Sequence, residues 1–104
     1  MELLTKEIIE AFHAHPLYSQ EENENPKVLV KYFNPWGIGT WYITEASPQG
    51  DDWLMFGLCD LGDPELGYVL LSQLKEVRLP GGLTIERDLY FDGYLQDAWA
   101  ELDR

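Results

Sequence analysis

A chain of 104 residues with 19 acidic and seven basic side chains has the size of one domain and a formal charge of -12, which repels phosphate backbones and anionic lipid surfaces. Direct binding of nucleic acid or of a membrane is thereby excluded as an expectation. At 45% hydrophobic and 13% aromatic the chain is too apolar for intrinsic disorder, and its apolar runs, such as residues 68–71, fall far short of the roughly 20 residues of a membrane-spanning helix.

Thr5 is placed to accept a backbone N–H as an N-cap, and Ile8, Ile9 and Phe12 recur at helical spacing before Pro16. The pattern predicts an N-terminal helix over 5–15 with Glu7 and Glu10 on its outer face. Residues 19–26 hold three glutamates, two asparagines and a proline but no apolar side chain, the composition of a solvated acidic loop. From Lys27 the period changes to two, and residues 27–33 read as a first strand ending at the turn Asn34-Pro35-Trp36-Gly37. A second strand is expected over 39–45, a turn over 47–52, a third strand over 53–61 and a fourth over 67–71.

Short turns between these strands favour an antiparallel meander, so residues 27–71 form the expected sheet core. Ser72 is the expected cap of a short helix over 72–78 that turns Leu74 and Val77 inward. In the C-terminal segment 83–104, residues 83–86 read as a brief fifth strand and 89–91 as extended. Leu95, Trp99 and Leu102 have the spacing of a terminal helix. The expected fold is one α+β domain, an antiparallel sheet of four to five strands with short helices packed on one face.

Charge is unevenly placed: the nets are -5 over residues 1–26, -1 over 27–59 and -6 over 60–104, so the middle strands are nearly neutral. The single cysteine, Cys59, has no intramolecular disulfide partner, and residues 1–10 hold no apolar run of signal-peptide length. A reducing cytoplasm is the expected location.

Three stretches, FNPWGIGTWYITE (33–45), FGLCDLGDPELGYV (56–69) and LTIERDLYF (83–91), together with the openings LLTKEI (3–8) and LYSQE (17–21), resemble the domain of unknown function 2958 family in order and spacing. The resemblance covers residues 3 to about 91 and leaves 92–104 outside its three blocks. It implies a small bacterial protein of the kind often encoded on plasmids and other mobile elements, and it implies no particular activity.

The candidate chemistry is of three kinds. Trp36 and Trp41 flank glycines and offer an aromatic ligand platform, although a strand-to-strand turn already calls for Asn, Pro and Gly here. The Gly37-Ile38-Gly39 string is followed by neither a lysine nor a helix, so it is no phosphate loop, and no cofactor is expected. Asp60, Asp63, Glu65, Glu86 and Asp88 are the acids from which a metal site or a two-carboxylate hydrolytic site would be built. The simpler reading of residues 60–64 is a turn in which Asp60 bonds its own backbone. Arg87, between Glu86 and Asp88, is either a clamp for an anionic ligand or half of an internal ion pair with a carboxylate. His13 and His15 do not have the spacing of helical metal ligands, and Cys59 reads as a small buried apolar side chain.

Two functions from different classes remain. The leading one is a non-catalytic acidic interaction module that docks on a basic protein surface, in one version as a DNA mimic whose carboxylates occupy a phosphate-binding groove. Trp36, Trp41, Asp60, Glu65, Glu86, Arg87 and Asp88 are its expected binding residues. The alternative is a small metal-dependent or acid/base hydrolase using Asp60, Glu65, Glu86 or Asp88 with Arg87 as the substrate clamp.

Overall fold

Helix α1, Lys6–Ala14, begins where Thr5 Oγ1 accepts the Ile8 N–H at 3.2 Å, as its sequence predicts. The computed structural model describes residues 1–103. Ile8 and Phe12 are the buried face of the helix, and the Phe12 ring packs at 5.2 Å against Trp53. After the acidic loop the chain enters strand β1, Val30–Phe33, then β2, Thr40–Gln49, β3, Asp52–Asp60, and β4, Pro64–Leu70. A two-residue strand β5, Glu86–Arg87, completes an antiparallel sheet of order β4-β3-β2-β1-β5.

The expected meander is present, with shifted boundaries. β2 runs beyond the expected 39–45 into the expected turn, as far as Gln49, and carries Pro48 opposite Trp53. Proline is tolerated there because β1 pairs only with Thr40 to Ile43, so beyond Ile43 that side of β2 has no strand awaiting an N–H. β4 begins at Pro64, earlier than expected, because residues 61–63 alone make the hairpin turn. Residues 83–86 do not form the fifth strand as read; only Glu86 and Arg87 pair, with Phe33 and Tyr32 of β1. Residues 89–91 bend instead of extending, because Asp88 Oδ1 accepts the N–H groups of Tyr90 at 2.8 Å and Phe91 at 3.0 Å.

Helix α2, Leu71–Lys75, is shorter than the expected 72–78, and Ser72 does not cap it. Ser72 lies inside its first turn, where Asp52 accepts both the Ser72 N–H at 3.1 Å and its hydroxyl at 2.5 Å. The terminal helix α3, Leu95–Leu102, is present, although Trp99 is exposed and Ala98 is its buried residue.

The placement of the helices corrects the one-face expectation. Trp41, Ile43, Met55 and Cys59 face a core shared with α1 and α2. Tyr42 and Leu58, paired across β2 and β3, face the other way and pack with Ala98, Leu95 and Leu102 of α3. The central strands are thus covered on both faces. Gly57 leaves no room for a side chain between those strands: a Cβ there would overlap the Tyr42 carbonyl.

Candidate binding surface

The two tryptophans of the predicted platform part company. Asn34 Oδ1 accepts the N–H groups of Trp36 at 2.8 Å and Gly37 at 3.0 Å, which shapes the β1–β2 turn and leaves Trp36 64% exposed at its tip. Trp41 is only 7% exposed, and its ring lies beneath Gly39, whose φ of +145 no larger residue adopts freely. One ring stands in water and the other in the core, so they form no common platform.

The candidate acids also separate. Asp60 Oδ1 accepts the Gly62 N–H at 2.9 Å, the local turn its sequence suggested. Glu65 is exposed on β4, in register with Cys59. Glu86, Arg87 and Asp88 lie at the opposite edge of the sheet, on and just after β5. Four inter-strand steps of about 4.8 Å put β4 and β5 roughly 19 Å apart. The four carboxylates assigned to the hydrolase reading therefore do not converge, and among the described residues no three His, Cys, Asp or Glu side chains gather as metal ligands.

Arg87 is not paired with a carboxylate among the described residues. Its Nε donates to the Glu2 carbonyl at 3.1 Å, which ties β5 to the start of the chain. The cation facing Asp88 is Lys31, at 3.3 Å, and Lys31 also reaches Glu101 of α3 at 2.7 Å. Burial pushes the Asp88 carboxyl up, but hydrogen bonds from the Tyr90 N–H and from Lys31 outweigh it and hold it below the usual range. Cys59 is buried, and that desolvation, with Glu65 adding to it, pushes its thiol up to about 11. Cys59 is the small buried side chain its sequence suggested. His13 lies edge-on to Trp53 at 5.3 Å, while His15 Nδ1 is 3.1 Å from the Ala11 carbonyl.

A different surface is built where the acidic loop meets the sheet. The register of β2 on β3 shifts between Ile43 and Glu45, so one extra residue turns Glu45 to the same face as its partner Phe56. Glu45 is only 5% exposed, and its carboxylate accepts the N–H groups of Tyr18 at 2.8 Å and Gln20 at 2.9 Å. The Gln20 amide donates to the carbonyls of Thr44 at 2.6 Å and Lys27 at 3.0 Å and accepts the Lys27 N–H at 2.9 Å. These bonds fix the loop and hold Tyr18 at a φ of 75, left-handed and costly for a tyrosine.

Between this loop, β3, β4 and α3 lies an open groove of about 400 Å³. Phe56, Leu66, Tyr68 and Leu95 supply its apolar floor, and the Phe56 and Tyr68 rings pack at 4.9 Å. Glu21 and Glu24 stand exposed on the loop side, and neither forms an ion pair among the described residues. A hydrogen bond to Tyr18, then burial and the nearby charges of Glu45 and Glu21, raise the Tyr68 hydroxyl above its usual range. Leu66 and Tyr68 alternate along an edge strand, which was the one sequence signal for this groove. The bulge that sets its depth left none.

Fold and surface define a small acidic α+β domain whose sheet is covered unevenly on its second face. The family model described as protein of unknown function (DUF2958) matches residues 3–103, and the chain belongs to that family. The match takes in residues 92–103, so α3 is part of the family's domain and not an appendage beyond it. Comparison with curated proteins and with solved structures returned no match. Among the described residues no helix is long and apolar enough to cross a membrane.

Proposed function

We propose that the protein is a non-catalytic acidic module that docks on a basic surface of a partner protein, in the plasmid or mobile-element setting that its family resemblance implies. The observation that carries this reading is the dispersal of the carboxylates. Asp60 and Glu65 lie toward one edge of the sheet and Glu86 and Asp88 lie at the other, a distribution suited to a broad field and unsuited to acid/base chemistry at one bond. A charge of -12 on 104 residues favours cationic partners and raises their encounter rate.

The test is affinity capture from an extract of the source cell with partners identified by mass, alongside mobility shifts with duplex and single-stranded DNA. The expected partner is a protein with a basic surface, and the isolated chain leaves DNA unshifted. If the captured protein binds nucleic acid and duplex DNA displaces it, the partner surface is a phosphate-binding groove and the module acts as a DNA mimic. Tight DNA binding by the chain alone, or capture of an acidic partner only, contradicts the reading.

A further inference from the structure

We infer that the groove bounded by the 18–26 loop, β3, β4 and α3 is the docking site itself, and that its occupant is a basic segment of a partner protein in which a leucine-like or aromatic side chain is flanked by arginine or lysine. This rests on the acidic-module reading and assigns it a place. Two properties of the groove select the occupant.

The first is uncovered apolar surface. On the second face of the sheet, α3 covers Tyr42 and Leu58 but leaves Leu66 and Tyr68 about half exposed beside Phe56. Adjoining exposed apolar side chains rimmed by charge are the usual form of a protein-contact site. The second is the sign of the rim. Three carboxylates, those of Glu21, Glu24 and Glu45, line the groove, and no lysine or arginine lines it. The nearest base along the chain, Lys27, is engaged by Asp92 and lies over the Tyr94 ring. An anionic or neutral segment would bring no counter-charge to Glu21 and Glu24. A guanidinium can pair with either and also stack on the Tyr68 ring.

The wall is also preformed. Gln20 and Glu45 hold the loop through main-chain bonds at both of its ends, so binding need not order it. The exposed, left-handed Tyr18 lines the groove together with Tyr68.

The experiment is an amide chemical-shift titration of the intact protein with two synthetic probes at about 50 mM salt, where exposed charges are weakly screened. One probe is a short peptide alternating arginine with leucine and tryptophan; the other has glutamate in place of arginine. The arginine peptide is expected to shift Tyr18, Phe56, Leu66, Tyr68 and Leu95, and the glutamate peptide to shift none of them. Glu21→Gln with Glu24→Gln should weaken binding about fivefold, as two partly exposed ion pairs do. Leu66→Asn, an exposed position, should abolish the shifts with the fold intact. Shifts confined to the Glu86 to Asp88 edge or to α1 would overturn the groove and leave the acidic-module reading standing. No shifts anywhere with the arginine peptide would overturn both.

Discussion

Trp36 and Trp41 carry the same side chain in one hairpin, and only burial separates their energetic weight. Trp41→Ala empties space beneath Gly39 in the core shared with α1 and α2 and should cost about 3–5 kcal/mol. Trp36→Ala removes an exposed ring and should change stability by no more than about 0.5 kcal/mol. Urea denaturation of the two variants checks both figures. Cys59 gives a residue-scale prediction in pH. Its thiol is raised in the folded state from 9.0 to about 11, so the folded chain holds that proton longer than the unfolded one. The associated stabilisation is full below about pH 9 and is lost as pH rises through about 11. Denaturant titrations on either side of that window should show the fall, and Cys59→Ala should reduce it.

At the scale of elements, Asp52 joins the start of β3 to the first turn of α2. The Ser72 hydroxyl, with the Trp53 N–H next, holds its carboxyl below the usual 3.8. A depressed carboxyl stabilises the fold above its unfolded value, and that contribution disappears as pH falls through the lower folded value. Asp52→Asn should therefore lower the melting temperature at neutral pH and flatten the acid side of the stability profile below about pH 3.8, which thermal melts across pH would record. The meander was legible because residues 27–61 alternate with period two between strong turn signals. The side of the sheet to which α3 goes was written less plainly, in the unbroken apolar run Trp41-Tyr42-Ile43, which marks a strand buried on both faces. The bulge at Glu45 was not legible, since one inserted residue leaves no trace in composition. Nor was the separation of the acids. It depends on β5 joining the far edge of β1, and the brief strand read at 83–86 carried no sign of which strand it would pair with. Arg87 escaped for a related reason: its partner is the Glu2 carbonyl, at the other end of the chain.

At the scale of the whole molecule, 19 acids against seven bases make self-repulsion a standing cost of the compact state. Only three ion pairs offset it among the described residues, two of them sharing Lys31. Added sodium chloride should therefore raise the melting temperature at neutral pH by screening repulsion, and a fall would mean that the few attractive pairs dominate. The same charge sets how the protein meets a partner. Docking on a basic surface is tested most directly by the dissociation constant for the purified captured partner, measured by calorimetry from about 50 to 500 mM salt, where the Debye length shrinks from beyond about 10 Å to well below it. Affinity should fall at least about tenfold across that range. An affinity indifferent to salt would contradict such docking.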